Sequence, residues 1–191
     1  GRPIGQFYGL VCNGIDENGR YIMVDKDGDG EISDPADYDY IGSPQPKLTY
    51  GITNTFRYKN FDLSFFLRGT IGNDILNATR MAYAQSGFLP GTNALDDPLT
   101  YTLSETPRFS NYYLEKGSFM RLDNLTLGYK IKALNGIRVY FTAQNLFVIT
   151  KYKGLDPEVP MDSGDGLTPG VEPREFYPKA RTFSVGLNLN F

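Results

Sequence analysis

The sequence contains no histidine, no tryptophan and a single cysteine, Cys12. Without histidine, a serine or cysteine nucleophile has no imidazole base. A lone thiol beside Val11 has neither a disulfide partner nor a zinc co-ligand. Enzymatic chemistry is therefore not expected, and Cys12 reads as packing. No apolar run is long enough for a transmembrane helix. An excess of basic residues is also missing, and the net charge of -3 argues against a nucleic-acid partner. The chain opens Gly1-Arg2-Pro3, with no charged stretch leading into an apolar run, so any export signal is expected upstream.

What is present points to β structure: 14 Tyr, 13 Phe, and turn-forming residues in quantity (21 Gly, 12 Pro). Apolar residues recur with period two in five stretches. In 48–58, Leu48, Ile52, Phe56 and Tyr58 alternate with Thr49, Gly51, Thr55 and Arg57. In 61–71, Leu63, Phe65 and Leu67 alternate with Asp62, Ser64 and Arg68. In 119–131, Leu125, Leu127, Tyr129 and Ile131 keep one phase while Met120 and Leu122 keep the other, which predicts a bulge near Asp123. In 137–147, Ile137, Val139, Phe141 and Ala143 alternate with Arg138, Thr142 and Gln144. In 181–191, Phe183, Val185, Leu187, Leu189 and Phe191 oppose Thr182, Ser184, Gly186, Asn188 and Asn190. A membrane-crossing strand needs about 9–11 residues, only every second one apolar, whereas soluble strands cluster near about 5–6.

The connections alternate between short and long. Lys59-Asn60 alone joins the first pair, the stretch 72–118 follows, a turn at Lys132–Gly136 joins the second pair, and 148–180 precedes the last strand. Outer-membrane barrels follow this rhythm, with short periplasmic turns and long external loops. It predicts an antiparallel transmembrane barrel wall with long extracellular loops, and Phe191 at the periplasmic edge. Residues 1–47 then form an extracellular loop region and 48–191 the barrel strands. A short helix is expected over Asp74–Ala84. The proline-rich 148–180 is expected to be an irregular loop.

Asp25, Asp27 and Asp29 alternate up to Gly30, followed by Glu31, Asp34 and Asp37. Carboxylates at the first, third and fifth positions, a glycine at the sixth and a carbonyl at the seventh match the first half of a calcium loop. Position 12 is Ala36 rather than Glu, so Asp34 or Asp37 must supply the missing ligand. A structural calcium ion is expected here, with a solvated acidic turn as the plainer alternative. Loop tyrosines, among them Tyr83, Tyr101, Tyr112 and Tyr113, suit stacking on sugar rings or peptides, or packing of loop on loop. Tyr58, Phe61, Tyr129 and Phe191 suit an interfacial girdle. Arg57, Asp62, Arg68 and Arg138 fall on the polar phase, where they would face a watery interior.

Several stretches, in this order, carry a resemblance: Gly5-Gln6-Phe7-Tyr8-Gly9, Ile41-Gly42-Ser43-Pro44, Thr49-Tyr50-Gly51, the Tyr58–Phe66 hairpin, Arg121-Leu122-Asp123-Asn124-Leu125, Gln144-Asn145-Leu146-Phe147, Tyr152-Lys153-Gly154-Leu155-Asp156-Pro157-Glu158, Tyr177-Pro178 and a terminal Phe191. Together they resemble the C-terminal part of SusC-like TonB-dependent outer-membrane transporters over nearly the whole chain. The resemblance implies a large plugged barrel of about 22 strands that imports glycans or peptides, with this chain as its C-terminal segment of about five or six antiparallel strands. It also implies a SusD-like surface lipoprotein over the mouth, TonB acting through an N-terminal region, and a plug and remaining strands beyond this chain. The final Phe191 resembles the signal read by the barrel-assembly machinery, and lipid bilayer surrounds the wall. A soluble calcium-stabilised β-sandwich that binds carbohydrate is the alternative, and a structural or adhesion barrel is a third reading.

Overall fold

A computed structural model of the chain describes residues 1–191 except 92, 133–136, 159–167, 175, 176, 178, 190 and 191, and only the backbone at Phe88. Most of the expected turn after residue 131, and Phe191 itself, therefore lie outside the described residues. The chain begins with two short ribbons. Strand β1 (Phe7–Leu10) pairs with β4 (Tyr38–Gly42), and β2 (Cys12–Ile15) pairs with β3 (Tyr21–Met23). Next come β5 (Leu48–Tyr58) and β6 (Phe61–Ile71). Strand β7 (Asp74–Leu76) leads into helices α1 (Ala78–Tyr83) and α2 (Pro98–Thr102), and β8 (Leu114–Lys116) returns to pair with β7. The long strands resume with β9 (Phe119–Ile131), β10 (Ile137–Thr150) and β11 (Thr182–Asn188).

The long strands form one antiparallel sheet in the order β11-β10-β9-β6-β5. The β5–β6 turn is as tight as the spacing requires, and Lys59 takes a left-handed φ of 54° to close it. Register then sorts the side chains. Phe56, Leu63, Leu127, Phe141 and Val185 stand in one row across all five strands, and Tyr58, Phe61, Tyr129, Val139 and Leu187 in the next. This apolar face has no protein layer on it: Phe56 is 53% exposed and Val185 75%. Among the described residues no helix is long and apolar enough to cross a membrane.

The bulge sits where the phase slip predicts. Phe66 faces Asn124 and Leu67 faces Leu122, which leaves Asp123 unpaired against β6. On the other side, Gln144 faces Asn124 and Phe147 faces Leu122, so Asn145 and Leu146 stand against that same bulge. The extra residue reverses the phase of β9 and keeps Met120 and Leu122 on the apolar face.

The expected helix over Asp74–Ala84 is corrected at its start. Residues 74–76 pair with 114–116, and the helix begins only after Asn77, whose side chain accepts from Arg80 N–H at 2.8 Å. At α2, Asp97 caps in the same way, accepting from Leu99 N–H at 2.9 Å with Pro98 in the first turn. The long connection between β6 and β9 is thus a folded piece. Phe7, Leu76, Ala84, Leu99 and Tyr113 form a buried cluster, with Ile15, Tyr21, Met81 and Phe109 against it. The apolar core lies in this loop layer, at the end of the sheet remote from the Tyr58–Phe61 turn.

Candidate functional site

The polar face of the sheet is built by the same register. Thr55, Ser64, Thr126, Thr142 and Ser184 make an unbroken row of hydroxyls across the five strands. In the next row stand Arg57, Asp62, Gly128, Tyr140 and Gly186. The missing side chain of Gly128 is what lets Arg138 reach Asp62, its Nε 2.9 Å from Oδ1 and its Nη2 2.5 Å from Oδ2. A Cβ on Gly128 would collide with both groups. The face is therefore hydrophilic, with Arg138 and Asp62 neutralising each other, as expected of a wall turned to water.

Toward the loop layer, a strap from Tyr152 to Glu158 folds over this polar face. Its anchor is Arg121, only 1% exposed, which donates to Asn145 Oδ1 and to Asp156 Oδ1, the latter at 2.5 Å. Asp156 is buried too, so either partner alone would leave an uncompensated charge worth about 3–5 kcal/mol. Glu158 accepts from both Arg68 and Lys179, and Arg68 also reaches Asp123 on the bulge at 3.2 Å. Burial pushes the Glu158 carboxyl up, but the hydrogen bonds and charges of Arg68 and Lys179 outweigh it and hold it down at about 2. Asn145 adopts a left-handed φ of 50°, which brings its amide onto Arg121 while its Nδ2 donates to Lys179 O at 2.9 Å. Three stretches quoted separately from the sequence, Arg121-Leu122-Asp123, Gln144-Asn145-Leu146 and Leu155-Asp156-Pro157-Glu158, thus meet in one ionic knot. Of its members only Arg68 was singled out as a polar-face charge. The one readable hint was a set of charges beside a strand bulge.

In the acidic loop, Asp25 Oδ1 accepts from Gly28 N–H at 2.7 Å and Oδ2 from Gly30 N–H at 2.9 Å. Asp29 Oδ1 accepts from Glu31 N–H at 2.8 Å. Gly28 and Gly30 have φ of 79° and 88°, and these left-handed steps wind the chain round. As a result one carboxylate oxygen from each of Asp25, Asp27 and Asp29 lies within 4.8 Å of the others. The carboxylates of Glu31, Asp34 and Asp37 are outside that group. Asp34 pairs with Arg108 at 2.8 Å. Asp37 is buried, and the backbone N–H groups of Ser33 and Lys26, at 2.7 and 2.6 Å, hold its carboxyl below the usual range. Three of the six acidic residues converge as hard oxygen donors. Asp37 instead braces the loop from beneath.

The four loop tyrosines divide. Tyr113 is wholly buried, with its hydroxyl 2.5 Å from that of Tyr21, and burial pushes its pKa up. Tyr112 packs edge-on against both, with the Arg80 guanidinium over its ring at 5.6 Å. These two fasten loop to loop. Tyr101, 75% exposed, and Tyr83, 37% exposed, are on the surface.

No family model matches the chain. It is 38% identical over 195 residues to the TonB-dependent receptor SusC of Bacteroides thetaiotaomicron, covering 92% of this chain and 18% of that protein. To the TonB-dependent receptor P3 of Formosa agariphila it is 34% identical over 231 residues, covering 100% of this chain and 22% of the relative. The fold matches a chain in the RagAB peptide importer in its closed-closed state, with a TM-score of 0.73 and 26% identity over 95% of this chain and 22% of that one. The chain is similar, as a segment, to the SusC-like TonB-dependent receptors. It spans about a fifth of the length of these relatives. The five-stranded sheet is a segment of their antiparallel barrel. The reading as a soluble carbohydrate-binding sandwich is not favoured, and the relatives are receptors rather than enzymes.

Proposed function

We propose that this chain is the C-terminal wall of an outer-membrane importer that takes up glycans or peptides, driven by TonB through parts of the protein that precede it. A SusD-like lipoprotein closes over the mouth on the loop-layer side. The strands end at the periplasmic edge, where Phe191 is offered to the barrel-assembly machinery. The observation that carries this reading is the division of one sheet into two faces. One is an apolar surface with nothing packed on it among the described residues, and the other a row of hydroxyls beside a row of charged side chains. Lipid suits the first and a watery interior the second. The peptide cargo named for RagAB favours peptides among the substrates.

Single cysteines placed in β9 of the complete protein, in membranes, test the reading. Thr126→Cys should react with a water-soluble maleimide, and Leu127→Cys should not. Equal reaction at both positions would remove the lipid-facing wall. The acidic loop acts, in this proposal, as a calcium staple, with Asp25, Asp27 and Asp29 as the side-chain ligands and the Glu31 carbonyl beside them. Chelator should raise protease cutting within 25–37, and calcium should restore protection in the native protein but not in Asp25→Asn. Cutting indifferent to chelator would leave the loop as a plain turn.

A further inference from the structure

The apolar face of the sheet does not stop abruptly at the loop layer. A surface cavity of about 470 Å³ lies there, its lining including the apolar Tyr50, Ile71, Phe119 and Ile149 together with Lys116 and Lys151. Ile71 and Ile149 are exposed hydrophobics on the lipid-facing phase. Lys116 reaches Asp74 at 2.7 Å, yet its side chain is 76% exposed, and Lys151 pairs with no carboxylate among the described residues. The cavity lies mainly over β6, β9 and β10, the middle strands of the sheet. Neighbouring barrel strands extend the sheet at its edges and do not cover this spot.

Depth in the membrane decides what meets it. Strands of 11 residues, such as β5 and β6, run about 36 Å along their axes. A tilt of 35–45° turns this into a height of about 25–30 Å, close to the apolar band of about 25 Å around such barrels. The aromatic residues Tyr58, Phe61 and Tyr129 occupy one end of this span, and the cavity occupies the other. Its apolar floor is therefore at acyl-chain level and its two ammonium groups are at headgroup level. Basic residues at that depth draw anionic headgroups, and apolar floors draw the chains attached to them.

We infer that this cavity binds a phosphate-bearing lipid of the outer leaflet, with Lys116 and Lys151 on the phosphate and Ile71, Ile149 and Tyr50 against the acyl chains. The inference rests on the outer-membrane reading above and adds a lipid site on the outside of the wall, apart from the transport path.

The test uses the complete protein, extracted from outer membranes and placed in phosphatidylcholine nanodiscs doped with bis-phosphorylated lipid A, with its dephosphorylated form as the matched control. Bound lipid is counted by native mass spectrometry. Occupancy by the phosphorylated lipid should fall about fivefold in Lys151→Gln and about thirtyfold in Lys116→Gln/Lys151→Gln, at roughly 1 kcal/mol per lysine. Lys151→Arg should retain it, and the dephosphorylated lipid should be indifferent to every variant. Lys151→Gln breaks no described ion pair, and unchanged gel migration of the unheated protein checks its fold. Equal binding by native protein and folded Lys151→Gln would overturn the inference and leave the outer-membrane reading standing. Displacement of the lipid by millimolar inorganic phosphate would overturn it in favour of a free-anion site. Absence of the native protein from the outer-membrane fraction would overturn the outer-membrane reading together with the inference.

Discussion

At the scale of single residues, the parts that mattered most were the least readable. Arg121 stands in an apolar strand and looks like an ordinary interruption of the alternation. Its partner Asp156 is 35 residues away across a loop, and no period links the two. The same holds for Glu158, whose two cationic partners come from β6 and from the approach to β11. Local pattern carries no information about such pairs, because only the tertiary fold brings them together. Asp25, Asp27 and Asp29 were readable because the chemistry is local: alternate carboxylates and two glycines force the convergence by themselves. Glu158 also sets a pH dependence. Its carboxyl is depressed in the folded protein, from an ordinary 4.5 to about 2. The stability it lends is therefore complete above about pH 4.5 and drains away as pH falls toward 2. Amide exchange at Leu155, Asp156 and Glu158 should accelerate across that window by an amount equivalent to roughly 2 kcal/mol. In Glu158→Gln the acceleration should be absent. A strap that opens identically in both proteins would place the latch elsewhere.

At the scale of elements, alternation was enough for the long strands. The ranges 48–58, 61–71 and 119–131 coincide with β5, β6 and β9, because a wall with lipid on one side and water on the other must alternate at every position. Strand β10 runs on to Thr150, past the expected 147, since the bulge at Asn145 delays its end. The short strands were invisible. Residues 74–76 and 114–116 pair over a long separation and are too brief for a period to show, so the helical pattern behind them spread forward over β7. The bulge supports an asymmetric prediction. Deleting Asp123 removes the one residue that β6 leaves unpaired, so both faces of β9 survive, at the loss of the contact with Arg68 and of the residue opposite Asn145 and Leu146. Inserting one alanine between Leu125 and Thr126 sends the strand on one side of it to the wrong face. The deletion should still yield a compact barrel on an unheated gel, while the insertion should abolish it. Equal tolerance of both would mean that the register is not set by the two faces.

At the scale of the whole molecule, the distribution of buried side chains is inverted relative to a soluble domain. The large sheet leaves its apolar residues exposed, and the loops bury theirs. The two halves are therefore held by different forces: the sheet by backbone pairing in an apolar medium, the loop layer by an apolar core of its own in water. Two such bodies should open independently. Tyr113 separates them, since it is buried in the loop core, is bonded to Tyr21, and belongs to a cluster whose described members all come from outside the long strands. Tyr113→Ala removes a large buried aromatic side chain, which typically costs about 3–5 kcal/mol. That exceeds what a layer of three- to five-residue strands and five- to six-residue helices can spare. Hydrogen exchange in β1, β4, β7 and β8 should rise toward that of an unfolded chain, while β6, β9 and β10 keep their protection. Tyr113→Phe, which keeps the packing and loses only the hydroxyl contact, should leave both bodies intact. If β9 loses protection together with β7 in the alanine variant, wall and loop layer form one cooperative unit, and motion of the loops at the barrel mouth would have to be carried by the barrel itself.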